Sequence, residues 1–513
     1  MTNPTASRAA VPPIAGRRQW WGLAVLALPT LLSAVDMNVL FLALSHLAHD
    51  LDPTAAEQLW ITDVYGFVLA GFLITMGTFG DRVGRRKLLF LGGSVFACVS
   101  VVAAYSVSPL MLIVCRALLG IAGATLMPST MALITTMFRD GRQRGVAIAI
   151  WATCLFGGAA LGPVVGGVLL ERFWWGSVFL LAVPVVVATL LVGPFVLPES
   201  RGADAGRLDL ASVGLSLGAV LPIVYGIKAL ATGSSSPMVG VASLLGGVLL
   251  AVVFVRRQLT LETPLLDLGL FRLSRVSIVL VTLVGAGVVM AGAGLLITQY
   301  LQSVLGYSPL ESAVLFAPMG LAVAAGTMLT PAITRHVTEK GAICGGLVLA
   351  AIGAAVLLLV PADGGAATAI VAVAVLALGT GPLFALGVGY IVGAVPTGRA
   401  GAAASLSETG NYVGGALGMA LMGTLGAVVY RARMAELVPD GASGALARAR
   451  ETIAGAVDAA AGMAPVDAAR LLDTAHAAFT GSVHTIGAIG AVVFLVLAAA
   501  ITRISLATAG SPR

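Results

Sequence analysis

Charged residues, lysines and cysteines are all scarce in this chain of 513 residues. Charged residues make up only 10% of it, and its three lysines are Lys87, Lys228 and Lys340. No Gly-x-x-x-x-Gly-Lys motif is present, which excludes a P-loop ATPase within the chain. The four cysteines lie singly in apolar runs, without the paired spacing or nearby histidines of a metal site. No nucleophile with an adjacent base is apparent, so we expect neither an enzyme nor a bound cofactor or metal.

Apolar residues dominate the chain. They make up 58% of the sequence, and the mean hydropathy is +1.02, far above the range of soluble globular proteins. Long apolar runs recur, and each reaches the roughly 20 residues that a helix needs to cross a hydrocarbon core of about 30 Å. Because helices satisfy their own backbone hydrogen bonds in lipid, the pattern predicts an all-α polytopic membrane protein. Fourteen transmembrane helices are predicted, at about 20–44, 58–79, 88–107, 110–136, 145–170, 177–197, 210–231, 237–255, 276–298, 309–333, 341–360, 367–393, 402–429 and 482–503.

The distribution of basic residues predicts the orientation. An even number of spans places both termini on one side of the membrane. If that side is the cytoplasm, most of the 29 lysines and arginines lie in inner segments, and the acidic residues show the opposite bias. We therefore expect a multi-pass protein of the cell membrane with both termini cytoplasmic. The basic residues are scattered rather than gathered in one aromatic-laced patch, so no nucleic-acid partner is expected.

A weak internal repeat predicts the domain organisation. When the chain is shifted by 256 residues, Gly158 matches Gly414 and Gly162 matches Gly418, so span 5 resembles span 13. This spacing indicates two parallel six-helix halves with two extra helices between them. We expect a cytoplasmic N-terminal tail (1–19), a six-helix bundle (20–200), two inserted helices (201–257), a cytoplasmic linker (258–275) and a second six-helix bundle (276–513). Within the second bundle we expect an extracellular hairpin loop over 431–481, with a helix start at Pro465.

Three polar or glycine-rich motifs interrupt the apolar pattern. Glycines allow a tight turn in the inner loop between spans 2 and 3, where Asp81 can cap a helix or pair with the arginines that follow. Small residues in span 5 let helices approach closely, and a proline there bends the helix. The loop motif comprises Gly77, Gly80, Asp81, Arg82, Gly84, Arg85, Arg86 and Lys87; span 4 contains Arg116, Gly120 and Gly123; span 5 contains Gly158, Gly162, Pro163, Gly166 and Gly167.

These motifs resemble those of the major facilitator superfamily. The loop is similar to the signature loop of that superfamily, and span 5 is similar to the antiporter signature of its drug exporters. Trp60, Asp63 and Tyr65 in span 2 narrow the resemblance to the fourteen-span drug:proton antiporters of the QacA type. The resemblance covers nearly the whole chain and weakens in the outer loop. Leu119 and Ala182 depart from it, since a glutamine and an asparagine are common at these positions.

The resemblance implies a proton-coupled antiporter that exports lipophilic cationic drugs, dyes, antiseptics or antibiotics. Its partners would then be small lipophilic cations, protons and the lipid bilayer, its energy source would be the proton gradient, and the protein would act as a monomer. Two alternatives stay open. One is an exporter of the same fold for a neutral or anionic antibiotic, siderophore or lipid. The other is a membrane sensor that transports nothing.

Ionisable residues inside spans mark the candidate site, because each costs about 2.5 to 3.5 kcal/mol at the bilayer centre. Asp36 lies about 12 Å and Arg116 about 10 Å below the outer membrane surface, so the two can pair. Arg116 serves either a structural ion pair or the proton pathway. The resemblance implies proton coupling by Asp36 and Glu408, and Arg116 is the further candidate for that role.

Cargo recognition is expected from acidic and aromatic side chains within the spans. Asp63, about 8 Å below the outer end of span 2, marks the QacA-like subgroup. The resemblance implies cation binding by Asp36 and Glu408. Asp63 is expected to bind cargo as well, and Tyr412 is expected to face the cation. Glu311 follows Pro309 at the start of span 10, where an acid can simply complement the helix dipole.

Overall fold

A computed structural model describes residues 14–51, 53, 55–201, 209–232, 236–261, 274–393, 400–435 and 444–503. The described part is helical and contains no strand, which confirms the predicted all-α class. The N-terminal half contains α1 (Arg17–Leu51), α2 (Ala55–Val83), α3 (Arg85–Ala104), α4 (Pro109–Met137), α5 (Gly141–Arg172), α6 (Ser177–Leu180) and α7 (Ala182–Val196). The middle contains α8 (Leu210–Thr232) and α9 (Pro237–Thr260).

Eight further helices follow, separated in two places by a short turn of other helical type. They are α10 (Ser274–Gln299), α11 (Pro309–Ile333), α12 (Glu339–Val356), α13 (Ala366–Gly393), α14 (Ala400–Met434), α15 (Ala445–Glu451), α16 (Ile453–Ala460) and α17 (Pro465–Thr502). A π-helical turn (Tyr300–Val304) extends α10, and a 3-10 turn (Leu357–Leu359) extends α12.

Many of these helices are long enough to cross a membrane. Among the described residues, 11 helical segments are long and apolar enough to cross a membrane, or 12 if the pair Trp60–Leu73 and Thr75–Val83, bent by 53°, counts as one span. Every one of the predicted spans falls on a helix of the structure. The sixth combines α6 and α7, and α8 is apolar over Ala211–Ile223.

Local sequence signals set several helix starts. The side chains of Ser108 and Asp140 accept hydrogen bonds from the backbone N–H groups three residues on, which caps α4 and α5. Thr338 caps α12 in the same way. Prolines occupy the first turn of α4, α9, α11 and α17, where the missing N–H would have no helical partner.

The helices pack in two similar sets. In the first half α1 packs against α5, and α4 packs against α2 and α3. In the second half α10 packs against α14, and α13 packs against α11 and α12. The repeated glycines occupy equivalent contacts: a Cβ at Gly158 would lie 2.8 Å from the Leu31 carbonyl oxygen, and one at Gly414 would lie 2.7 Å from the Val284 carbonyl oxygen. The two halves meet along α5–α11 and along α2–α14.

The segment expected as an extracellular helical hairpin over 431–481 is largely helical where the structure describes it. The helix α14 continues to Met434. The helix α17 has 38 residues and begins at Pro465, well before the predicted start of the last span at residue 482. The helix start expected at Pro465 is therefore confirmed, and Asp467 lies in its first turn. Between them, α15 is fastened to α14, because the Tyr430 hydroxyl donates to the Ala449 carbonyl oxygen at 2.8 Å, and α16 packs against α15 and α17.

Candidate functional site

A buried ion pair joins α1 to α4. A guanidinium nitrogen of Arg116 lies 3.0 Å from a carboxylate oxygen of Asp36, and the exposed fractions of the two side chains are 1% and 3%. This confirms the pairing predicted from the depth of the two residues. Two opposite charges held this deep are stable only when they stay together, because breaking a buried pair leaves an uncompensated charge.

The arginine is also held from α2. Its Nε donates to the Ile61 carbonyl oxygen at 3.2 Å, and its guanidinium carbon lies 4.5 Å from the ring centroid of Tyr65. A guanidinium over an aromatic face is attracted by the negative face of the ring. Arg116 therefore has two contacts on α2 besides its ion pair with α1, and three helices meet at this residue.

Glycines of α5 bring α1 close on both sides of Asp36. A Cβ at Gly158 would lie 2.8 Å from the Leu31 carbonyl oxygen and 2.9 Å from the Ala34 Cβ, and one at Gly166 would lie 2.8 Å from a methyl carbon of Val39. Larger residues would force the two helices apart.

The other residues of the span 5 motif belong to the same helix. Gly162 is buried in α5, whereas the surroundings of Pro163 and Gly167 lie outside the described part of the structure.

A small central cavity, lined by both halves, lies where they meet. Its walls are apolar and aromatic with two small polar side chains, which is typical of small-molecule sites. The Trp151 ring nitrogen donates to the Thr130 hydroxyl at 3.0 Å, which fixes the indole in the wall. The lining residues are Trp151, Ala152, Leu155 and Phe156 from α5, Leu283 from α10, Phe384 and Val388 from α13, and Ser407 and Asn411 from α14.

Most of these lining residues were missed by sequence reasoning, which concentrated on charge. The aromatic residue predicted to face the cation was Tyr412, and the packed rings of Phe156 and Phe384, whose centroids lie 4.8 Å apart, were not recognised. Asn411 carried a usable signal, since an amide within a membrane span needs a reason to be there.

The other predicted site residues are placed only by their helices. Asp63 lies in α2. Glu408 and Tyr412 lie in α14, next in sequence to the cavity-lining Ser407 and Asn411. The side chains of Asp63, Glu408 and Tyr412 lie outside the described part of the structure.

The signature loop contacts the end of α7. Arg85, almost fully buried, donates from Nε to an Asp81 carboxylate oxygen at 2.9 Å. The backbone N–H of Arg86 donates to a Glu199 carboxylate oxygen at 3.2 Å, and its guanidinium donates to the Leu197 carbonyl oxygen at 3.0 Å. The backbone N–H of Arg85 donates to the Ser200 carbonyl oxygen at 2.9 Å. The loop thus fastens α2 and α3 to the segment after α7.

Of the remaining motif residues, Gly77 is buried in α2, and Arg82 lies in the last turn of the same helix.

Gly84 lies at the turn between α2 and α3, and replacing it with alanine should weaken the attachment of this loop to the segment after α7. Its φ of 116° is strained for any residue with a Cβ, and that Cβ would lie 2.6 Å from a Glu199 carboxylate oxygen. We expect Gly84→Ala to lower the free energy of unfolding by about 1–3 kcal/mol and to slow transport. Thermal unfolding in detergent is the measurement. Gly214→Ala, a change into open space in α8, is the control, and equal midpoints for the two variants would contradict the prediction.

Glu311 serves the start of a helix. Its carboxylate accepts from the Ser308 backbone N–H at 2.8 Å, and the Ser308 hydroxyl accepts from the Glu311 backbone N–H at 3.2 Å. This reciprocal capping box accounts for the acid at the start of α11. The interpretation of Glu311 as a helix-terminal acid is therefore confirmed.

Known proteins match this chain over almost its whole length. The family model of the Major Facilitator Superfamily matches residues 26–419. The multidrug efflux pump LfrA of Mycolicibacterium smegmatis is 41% identical over 492 residues, covering 94% of this chain and 96% of the relative. The methyl viologen resistance protein SmvA of Salmonella typhimurium is 32% identical, covering 96% of this chain and 99% of the relative.

Two further matches extend the comparison. The tetracenomycin C resistance and export protein of Streptomyces glaucescens is 31% identical, covering 90% of this chain and 85% of the relative. The crystal structure of the human organic anion transporter MFSD10 matches with a TM-score of 0.60 at 15% identity, covering 94% of this chain and 99% of that chain. At that identity the likeness concerns the fold alone.

Proposed function

Because the chain belongs to the major facilitator superfamily, we propose that it is a proton-coupled antiporter that exports lipophilic cationic drugs, dyes, antiseptics or antibiotics. It is a multi-pass membrane transporter and not an enzyme. The observation that carries the proposal is the buried pair of Asp36 and Arg116. Ionisable side chains inside membrane spans are costly, and they mark proton or substrate pathways. The relatives named for multidrug efflux and for methyl viologen resistance support the cargo class.

The proposed exchange uses Asp36 as the proton carrier. A proton from outside neutralises the carboxylate, and Arg116 is then held by the Ile61 carbonyl oxygen and the Tyr65 ring. This rearrangement moves α1 relative to α2 and α4, and the close α1–α5 packing carries the movement into the bundle. Rocking of the two halves then exposes the site to the other side of the membrane. The energy source is the proton gradient, with no bound cofactor.

The cargo is proposed to bind in the central cavity. Trp151, Phe156 and Phe384 offer apolar surface and aromatic faces to a lipophilic cation. Glu408 and Tyr412, on the same helix as the cavity-lining Ser407 and Asn411, are the proposed acidic and aromatic contributors from the second half. We further propose that the protein acts as a monomer with both termini in the cytoplasm.

Reconstituted vesicles test the proposal. One-for-one exchange of a proton for a monovalent cation moves no net charge, so each pH unit across the membrane should sustain about a tenfold cargo gradient. A lipophilic cationic dye is followed by fluorescence while the pH gradient is imposed and then collapsed with a protonophore. Dye movement that ignores the pH gradient would overturn the proton coupling.

A second candidate function keeps the fold and changes the cargo. The tetracenomycin C resistance and export relative favours an antibiotic that need not carry a positive charge. In that case Asp36 is still needed for coupling, whereas Asp63 is dispensable. Competition by a neutral antibiotic against the cationic dye in the same vesicles separates the two cargo classes.

Asp63 is proposed to serve cargo with two positive charges. If Asp36 and Glu408 suffice for one charge and its proton exchange, the further acid in α2 is available for a second. We expect Asp63→Asn to weaken dication export at least about tenfold, a loss of about 1.4 kcal/mol, and to spare monocations. Parallel efflux of matched monocationic and dicationic compounds at equal expression measures this. Equal loss for both compounds would assign Asp63 to coupling or structure instead.

A further inference from the structure

A second opening, which we call the inner cleft, lies where α1 begins and where α4 and α7 end. It has a volume of about 420 Å³, within the range of small-molecule sites, and it shares no lining residue with the central cavity. In the orientation proposed above, this end of the bundle lies at the cytoplasmic surface of the membrane. The lining residues are Ile14, Ala15, Arg18 and Gln19 around the start of α1, Thr136, Met137 and Arg139 at the end of α4, and Val196, Pro198 and Glu199 at the end of α7.

Packing and hydrogen bonds hold the walls of the inner cleft in place. The backbone N–H of Ala15 donates to the Gln143 side-chain oxygen at 2.7 Å, which fastens the segment before α1 to α5. Deeper in the bundle, a Cβ at Gly22 of α1 would collide with the Met137 side chain and would lie 3.5 Å from a Leu197 methyl carbon. Because α1, α4 and the end of α7 touch at this level, the cleft is closed toward the bundle and opens at the membrane surface.

The acidic residue in the wall of the cleft is engaged by the signature loop. One carboxylate oxygen of Glu199 accepts from the Arg86 backbone N–H at 3.2 Å, and the other lies 3.6 Å from the Arg86 Nε. Asp140, next in sequence to Arg139, accepts from the Gln143 backbone N–H at 2.9 Å and so caps α5. Both carboxylates therefore have partners other than the arginines of the cleft.

Two arginines leave the inner cleft with a surplus of positive charge. Arg18 of α1 and Arg139 after α4 both line it, and both side chains are exposed. Within the part of the chain that the structure describes, neither forms an ion pair. The guanidinium group is a planar fork of donors that matches the oxygens of a phosphate group. Two such groups at one opening therefore favour a ligand that carries a phosphate.

Exposed apolar side chains lie around the cleft at the level of the bilayer surface. Trp21, one turn beyond Arg18, is 67% exposed, and Phe195, next to the cleft-lining Val196, is 76% exposed. Tryptophan near the end of a span is typical of the membrane interface. A soluble phosphate compound gains nothing from such a surface, whereas a phospholipid can lay its acyl chains along it. Basic pockets between helices on the cytoplasmic side are typical sites for anionic headgroups.

We propose that the inner cleft binds the headgroup of an anionic phospholipid of the cytoplasmic leaflet, with its phosphate on Arg18 and Arg139. The bound lipid bridges the start of α1 to the ends of α4 and α7 and thereby stabilises the N-terminal half. Glu199 lies in the same wall and holds Arg86, so the lipid also supports the segment to which the signature loop is attached. The choice of leaflet rests on the orientation proposed above, whereas the site itself depends neither on the cargo nor on proton coupling.

Lipid titration with charge variants is the first test. Delipidated protein in detergent is titrated with phosphatidylglycerol while the thermal unfolding midpoint is followed, since a ligand of the folded state raises it saturably. Arg18→Gln with Arg139→Gln should raise the half-saturating lipid concentration at least about tenfold. Arg17→Gln with Arg142→Gln removes the same charge from neighbouring positions outside the cleft and should shift it less than about twofold. Equal shifts for the two double variants would overturn the site.

Headgroup chemistry separates a lipid from a soluble phosphate compound. Phosphatidylcholine, whose headgroup has no net charge, should need an at least about tenfold higher concentration than phosphatidylglycerol to raise the midpoint of the wild type. Inorganic phosphate should neither raise the midpoint nor weaken the response to phosphatidylglycerol. A rise with inorganic phosphate that is lost in Arg18→Gln with Arg139→Gln would overturn the lipid and assign the cleft to a soluble phosphate compound.

Filling the cleft tests the site without changing its charge. Val196→Trp adds bulk to the wall and should weaken phosphatidylglycerol binding at least about fivefold, as counted by native mass spectrometry of the protein with its bound lipid. Phe195→Trp, at the adjacent exposed position, is the control and should stay within about twofold of wild type. Binding that survives Val196→Trp in folded protein would refute the cleft as the site. These measurements need no transport, so their outcome is independent of the proposed antiport.

Discussion

Replacing Asp36 with asparagine is expected to abolish proton-driven accumulation of cargo. The wild type should sustain about a tenfold gradient of a monovalent cation per pH unit, and Asp36→Asn should sustain none. The amide can still accept a hydrogen bond from Arg116, but it cannot take up and release the proton. Accumulation in vesicles with an imposed pH gradient is the measurement.

Two controls separate lost coupling from lost structure. Exchange of labelled for unlabelled dye across vesicles without a pH gradient needs only alternating access, so Asp36→Asn should retain it. Asp36→Glu keeps a titratable carboxylate beside Arg116 and should retain part of the accumulation. Gradient-dependent accumulation by Asp36→Asn would show that another group carries the proton.

Replacing Gly158 with leucine is expected to lower the rate of exchange about tenfold or more, because overpacking costs typically 1–3 kcal/mol and the contact here is with backbone. The added Cβ would lie 2.8 Å from the Leu31 carbonyl oxygen, so α1 and α5 must separate beside the Asp36–Arg116 pair. The initial rate of pH-driven dye efflux, at equal amounts of protein in the membrane, measures the effect.

Matched glycine variants give the controls for this prediction. A Cβ at Gly145, in the same helix, meets no atom within 4 Å, so Gly145→Leu should leave the rate unchanged. The second half offers an adjacent pair: Gly414 lies against α10, whereas Gly415 faces open space. Gly414→Leu should be impaired and Gly415→Leu should not. Equal rates for Gly158→Leu and Gly145→Leu would contradict a role for close α1–α5 packing.

The helix positions and the ion pair could be predicted from the sequence for a simple geometric reason. In a membrane each apolar run must form a helix of fixed rise, so position along the chain converts directly into depth. That conversion alone brings Asp36 and Arg116 to about the same level. It also places Glu311 at a helix start, where its capping role follows from Ser308 three residues earlier.

The lateral packing of one helix against another could not be predicted in the same way. Depth does not say which face of a helix meets which neighbour, so the aromatic wall formed by Phe156 and Phe384 went unrecognised. The seat of α8 beside Gly71 depends on matching surfaces of helices far apart in sequence, which apolar periodicity does not encode. The length of α17 was underestimated because its first turns are polar and resemble a loop rather than a span.

The side chains that line the described cavity include no ionisable group, whereas the Asp36–Arg116 pair lies on other residues of the bundle. Selection under a new toxic compound can therefore reshape the cavity wall by single substitutions, such as at Phe156 or Phe384, without touching the ion pair proposed to carry the proton. A durable inhibitor would have to block the ion pair or the closely packed glycines beside it, where mutational escape also disables the pump.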